Sequence, residues 1–213
     1  MRMGTSAFVF LVCSLFSFAA KSAGILGSSV LISRDGYLIT AEHVIAGCAS
    51  LNAVNIGPVI ALGHDKANDL ALLKLNASIT AEPLPLSMAA VRLGEEVIAV
   101  GYPLQGILAG LNVTIGIVND LPDNSTRLEF TAPAVQPGNS GGALLDRKGT
   151  LIGILSYKRT FGSGVFAVRR EVIQTFLFAQ SVEPVLVDSE PERSREEIAE
   201  LARKSVFAIE CLN

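Results

Sequence analysis

Residues 27–43 read GSSVLISRDGYLITAEH. Two apolar stretches, Ser28–Ser33 and Tyr37–Ala41, flank Arg34-Asp35-Gly36, a turn signal. This is the pattern of two short strands joined by a tight turn, with His43 at the end of the second strand. The same grammar continues outward. Val59–Gly63, Leu70–Leu75, Glu96–Gly101, Asn112–Val118, Arg127–Ala132, Gly142–Asp146, Thr150–Ser156 and Val165–Val168 are further candidate strands. Turn-forming clusters at 121–124 and 146–149 lie between them. Many short strands with no helix between them predict an all-β sandwich or barrel. Only after them does helical spacing begin, at 169–180 (RREVIQTFLFAQ), where Val172, Phe176 and Leu177 share a face.

Composition agrees with a packed domain. The chain has 213 residues, 50% of them apolar and 17% charged, with 19 glycines and no Trp. That is far from the composition of a disordered chain and long enough for a real core. Net charge is −3, which excludes a nucleic-acid binder relying on phosphate neutralisation.

The N-terminus reads as a leader. Arg2 is followed by the apolar run 7–20 (AFVFLVCSLFSFAA), short for a membrane span and suited to a secretory signal peptide over residues 1–22. Cleavage after Ala19 or Ser22 fits the small-residue rule. An uncleaved anchor is the alternative. Removal leaves 15 basic against 20 acidic residues and two cysteines, Cys48 and Cys211. They form one disulfide in an exported chain or remain buried free thiols. The mature chain has no further run long enough for a membrane span, and export to the periplasm or medium is expected.

Residues 181–193 look like a linker, with Pro184 and Pro191. Ser194-x-x-Glu197 is a capping box, followed by Ile198, Leu201 and Ala202 at helical spacing and the apolar run Val206–Ile209. His64 reads as a surface loop residue. No Cys or His grouping has metal-ligand spacing, so neither a metal nor a cofactor is expected.

Three residues carry chemistry. His43 ends a strand, Asp69 opens DLALLKL (69–75), and Ser140 lies in PGNSGG (137–142). A serine hydroxyl is a poor nucleophile until a base takes its proton. Imidazole is such a base, and a buried carboxylate fixes its tautomer. Gly138 and Gly141 permit backbone angles that turn the N–H groups of Gly138 and Ser140 toward one spot, as an oxyanion hole requires.

Together these motifs carry a specific resemblance. The stretch 27–168 resembles the protease domain of the high-temperature-requirement (Deg-like) branch of trypsin-like serine proteases. GSSVLISRDGYLIT leading to His43, DLALLK, GYP (101–103), TIGIV (114–118), TAPAVQPGNSGG (131–142) and GTLIGI (149–154) carry it. The order His, Asp, Ser is that of the chymotrypsin type, not of subtilisins or α/β-hydrolases. The resemblance implies two antiparallel β-barrels with the site in the cleft between them. It makes His43 the general base, Asp69 its orienter and Ser140 the nucleophile, with Gly138, Asn139 and Ser140 forming the oxyanion loop. Ala134, six residues before Ser140, would floor the primary specificity pocket. With no acid there, cleavage after a small or medium aliphatic residue is expected.

Two departures stand out. The 33 residues after Gln180 are too few for the peptide-binding PDZ domain usual in the family. The family also has a strand before its Gly-Ser segment, and little chain precedes Gly27 once the leader is removed. Residues 194–213, a helix then a strand, resemble that missing entry. They are expected to complete the first barrel, from the same chain or a neighbour, with Cys211 within reach of Cys48. An amphipathic tail packed elsewhere is the alternative. The expected activity is that of an exported serine endopeptidase acting on polypeptides. Its rivals are a catalytically silent binding module and a protease dormant until a partner binds. Association of copies is left open.

Overall fold

The computed structural model describes residues 23–103, 110–156 and 164–212, and the leader expected at 1–22 lies outside them. The first strands are β1 (Ala23–Leu31), β2 (Tyr37–Thr40), β3 (Ser50–Ala53), β4 (Gly57–Asp65) and β5 (Leu70–Leu75), with a one-turn helix α1 (Glu42–Ile45) after β2. Next come β6 (Leu86–Ser87), β7 (Glu96–Gly101), β8 (Asn112–Asp120), β9 (Arg127–Thr131), β10 (Ala143–Leu145), β11 (Leu151–Leu155) and β12 (Val165–Arg169). Then follow α2 (Arg170–Ala179), β13 (Leu186–Val187), α3 (Arg195–Ser205) and β14 (Val206–Leu212).

Six strands close the first barrel in the order β1-β14-β3-β4-β5-β2. Six more, β10-β7-β8-β9-β12-β11, close the second through the β10–β11 pairing. The all-β, two-barrel architecture expected from the sequence is therefore present. Among the described residues no helix is long and apolar enough to cross a membrane.

Two strands explain how the barrels meet. In β5, Ala71, Leu73 and Leu75 point into the first barrel, while Leu70 and Leu72 face the core between the barrels. In β7, Val97 and Ala99 fill the second barrel, and Ile98 and Val100 face that shared core. A strand buried on both faces is apolar wherever it is buried, which is why LALLKL and EVIAVG do not alternate and only the half-buried Lys74 and Glu96 break the runs. The barrels are thus joined by a continuous hydrophobic layer, and the cleft above it is geometrically defined.

β14 lies between β1 and β3 in its own chain, with Ser28 opposite Ala208 and Cys211 opposite Leu51. It inserts Phe207 and Ile209 into the first barrel. The capping box forms: Ser194 Oγ accepts from the Glu197 N–H at 3.2 Å, and Glu197 Oε2 accepts from the Ser194 N–H at 2.8 Å. Such a cap contributes about 1 kcal/mol. Ile198 and Ala202 then bury one face of α3. Cys48 and Cys211 are disulfide-bonded.

Several local expectations are corrected. His43 does not end a strand: β2 stops pairing at Thr40, and His43 sits in α1. β3 was not foreseen, because Ser50–Ala53 is short and only half apolar. The expected linker 181–193 contains β13, which runs parallel to β6. His64 lies on β4 rather than in a loop, with its side chain 47% exposed and 3.7 Å from Glu42.

Candidate active site

Each of the three residues lies within three positions of the end of a barrel strand. α1 carries His43 out of β2 into the cleft. Asp69 immediately precedes β5 in left-handed backbone, φ 61°. Its carbonyl accepts from the Glu42 N–H at 3.2 Å, which ties the turn before β5 to α1. Asp69 Oδ1 accepts from the His43 N–H at 3.1 Å.

Ser140 rides on a tight turn between β9 and β10. The Asn139 N–H donates to Gln136 O at 3.1 Å, closing a turn with Pro137 second and Gly138 third. Gly138 has φ 98°, which with Pro137 before it makes a type II turn. Gly141, φ 81°, bends the chain into β10; a Cβ there would run into the Ser28 carbonyl and the Thr40 hydroxyl.

These placements bring the side chains together. His43 Nδ1 lies 2.9 and 2.8 Å from the two Asp69 carboxylate oxygens, and its Nε2 lies 3.1 Å from Ser140 Oγ. Asp69 is 1% exposed and Ser140 3%, whereas the His43 side chain is 33% exposed. Burial raises the Asp69 pKa, but hydrogen bonds from the His43 ring, from Ser156 and from the His43 backbone outweigh it. The net effect lowers it to about 2. An ionised carboxylate only accepts, so Nδ1 carries the imidazole proton and Nε2 is left to accept from the Ser140 hydroxyl.

The turn that carries Ser140 divides its amides. Asn139 spends its N–H on closing the turn. The N–H groups of Gly138 and Ser140 have no hydrogen-bond acceptor among the described residues. The Asn139 side chain is fully buried. Ala134 is half-exposed, and its carbonyl accepts from Asn112 Nδ2 at 3.3 Å.

Sequence reasoning missed Ser156. Its hydroxyl donates to Asp69 Oδ2 at 2.6 Å, from the end of β11. The available signal was a small polar residue closing the apolar run LIGIL, buried to 1% exposure. Ser156 also lines a cavity of about 170 Å³ with Asp120, Ser125, Arg127, Glu129 and Phe166.

The trypsin-like peptidase domain family matches residues 27–154. An uncharacterised protein, y4bJ of Sinorhizobium fredii, is 35% identical over 212 aligned residues, covering 91% of this chain and 33% of y4bJ. The serine endoprotease DegS of Haemophilus influenzae is 35% identical over 61% of this chain and 40% of its own length. The chain thus spans well under half of these curated relatives. Among solved structures, the HtrA-type protease AlgW with a tripeptide superposes with a TM-score of 0.62 at 28% identity, covering 76% of this chain and 59% of AlgW. A two-barrel fold, an imidazole shared between a serine and a carboxylate, and a family match over residues 27–154 that contains all three residues place this chain in the trypsin-like peptidase domain family, with the Deg/HtrA serine proteases as homologues.

Proposed function

We propose that the chain is a serine endopeptidase working through an acyl-enzyme. One observation carries this reading: the His43 imidazole lies within hydrogen-bond reach of both the Ser140 hydroxyl, at 3.1 Å, and the buried Asp69 carboxylate, at 2.8 Å. A non-catalytic module has no need of that alignment, which argues against a silent binding role.

Ser140 Oγ attacks the peptide carbonyl carbon as His43 Nε2 takes its proton. The oxygen that gains charge is met by the amides of Gly138 and Ser140. Asp69 holds the imidazole in place and stabilises its cationic form. As the C–N bond breaks, Nε2 gives its proton to the leaving amine, and an ester remains on Ser140. Water then delivers a proton to Nε2 and attacks the ester. Ser140 Oγ leaves with that proton, and the product acid is released.

Ala134 offers no charge to a substrate side chain, and this favours a small or medium aliphatic residue before the scissile bond. The apolar run expected to be a leader and the Cys48–Cys211 disulfide support an exported protein, because such bonds persist in oxidising compartments. Polypeptides are then the substrates.

The test is labelling with a serine-directed fluorophosphonate, followed by peptide-library profiling. Wild-type protein takes the label at Ser140 and cleaves after aliphatic residues. Ser140→Ala abolishes labelling and lowers hydrolysis by several orders of magnitude, with an unchanged melting temperature. Labelling that persists in Ser140→Ala would overturn the assignment.

A further inference from the structure

The neighbourhood of Ser28, in β1 of the first barrel, bears directly on the oxyanion loop of the second. Ser28 is fully buried. Its hydroxyl donates to Gly138 O at 2.9 Å and accepts from the Tyr102 N–H at 2.8 Å. Its backbone N–H donates to Ser140 O at 2.8 Å. Its carbonyl accepts from Thr40 Oγ1 at 2.6 Å. Every polar group of Ser28 is therefore engaged, and two of the four bonds end on the carbonyls that bracket Asn139.

We infer that Ser28 is a positioning residue for the oxyanion hole: its hydroxyl locks the Gly138–Asn139 peptide and thereby holds the Gly138 N–H toward the reacting carbonyl. The inference rests on the serine-endopeptidase reading. The turn at 136–139 can be type I or type II, and the two differ by a half-rotation of the central peptide. That central peptide joins Pro137 to Gly138 and carries the Gly138 N–H. Which way this donor faces is therefore decided by which turn is more stable. In the observed turn, the Gly138–Asn139 peptide is held at both ends, its N–H by Gln136 O and its carbonyl by Ser28 Oγ. Passing from type II to type I takes φ at Gly138 from positive to about −90° and tilts the Gly138–Asn139 plane that follows, which pulls its carbonyl out of line with the buried Ser28 hydroxyl. Ser28 thus biases the turn toward the form that presents the donor. Because it acts on a group needed chiefly where charge develops, its loss falls on the chemical step rather than on binding.

Ser29 supplies a control on the same strand. It is equally buried, and its hydroxyl donates to Phe207 O at 3.4 Å without touching the loop. The experiment measures saturable fluorophosphonate labelling, giving a maximal rate and a half-saturation concentration, on folded protein checked by circular dichroism. Ser28→Ala lowers the maximal rate by about ten-fold or more, with half-saturation within about two-fold. Ser29→Ala leaves the rate unchanged. Ser28→Cys, which keeps the shape but weakens the donor, falls between. Equal rates in Ser28→Ala and wild type, or equal losses in Ser28→Ala and Ser29→Ala, overturn the inference. If Ser28→Ala does not fold, Ser28→Cys decides alone, and a wild-type rate there overturns it. A wild-type protein that takes no label at all refutes the protease reading and this inference together, which separates the two failures.

Discussion

Asp69 shows how much one residue can be asked to do. Left-handed backbone costs an ordinary residue about 1–2 kcal/mol, and Asp is among the few that tolerate it. Its carboxylate is nearly inaccessible to water, yet it stays ionised because the His43 ring, Ser156 and the His43 N–H all donate to it. A carboxyl lowered from 3.8 to about 2 on folding contributes stability above pH ~4 and loses it as pH falls toward 2. The difference corresponds to about 2 kcal/mol. Asp69→Asn keeps the shape and tolerates the same backbone angles. We therefore expect the wild-type advantage over Asp69→Asn in urea unfolding to shrink by about 2 kcal/mol between pH 5 and pH 2. An advantage that does not change with pH would contradict the placement of this charge.

At the scale of elements, the turn from Gln136 to Gly141 is where the two barrels touch the chemistry. Gly138 and Gly141 both have positive φ, but for different ends. Gly138 sets the turn type, whereas Gly141 lets β10 leave while β1 presses against it. Gly141→Ala combines a disfavoured backbone with collisions at Ser28 and Thr40. We expect a loss of about 3 kcal/mol or more in urea unfolding, with labelling of the residual folded protein strongly reduced. The glycines of PGNSGG were legible in the sequence as permissive turn residues. That a strand more than a hundred positions earlier fills the space beside them was not.

For the whole molecule, the decisive feature is that the last described strand completes the first barrel. β14 pairs with β1 from Ala23 to Val30, so it backs the strand that carries Ser28. The Cys48–Cys211 bond pins β14 to the start of β3 across a separation of 163 residues. Closing so long a loop restricts the unfolded chain and stabilises by about 5 kcal/mol. Cys211→Ser should therefore lower stability by about that amount in urea unfolding, and reductant should have no further effect on the variant. Equal stability of the two proteins in oxidising buffer would show that β14 holds its place by hydrophobic packing alone.

The fold class, the strands around the cleft and the three residues that meet there are readable from the chain alone, because each is written locally. Period-two or doubly buried apolar runs make strands, positive-φ glycines make turns, and the motifs of His43, Asp69 and Ser140, weak one by one, are specific when taken together in that order. The capping box at Ser194 was equally plain. The tertiary structure alone decided that β14 enters its own barrel, that Ser156 donates to the Asp69 carboxylate, and that Ser28 grips the loop of Ser140. Those are contacts between segments far apart in the chain. They depend on how closed barrels bring their edges together, and no local pattern of residues encodes a distance across a cleft.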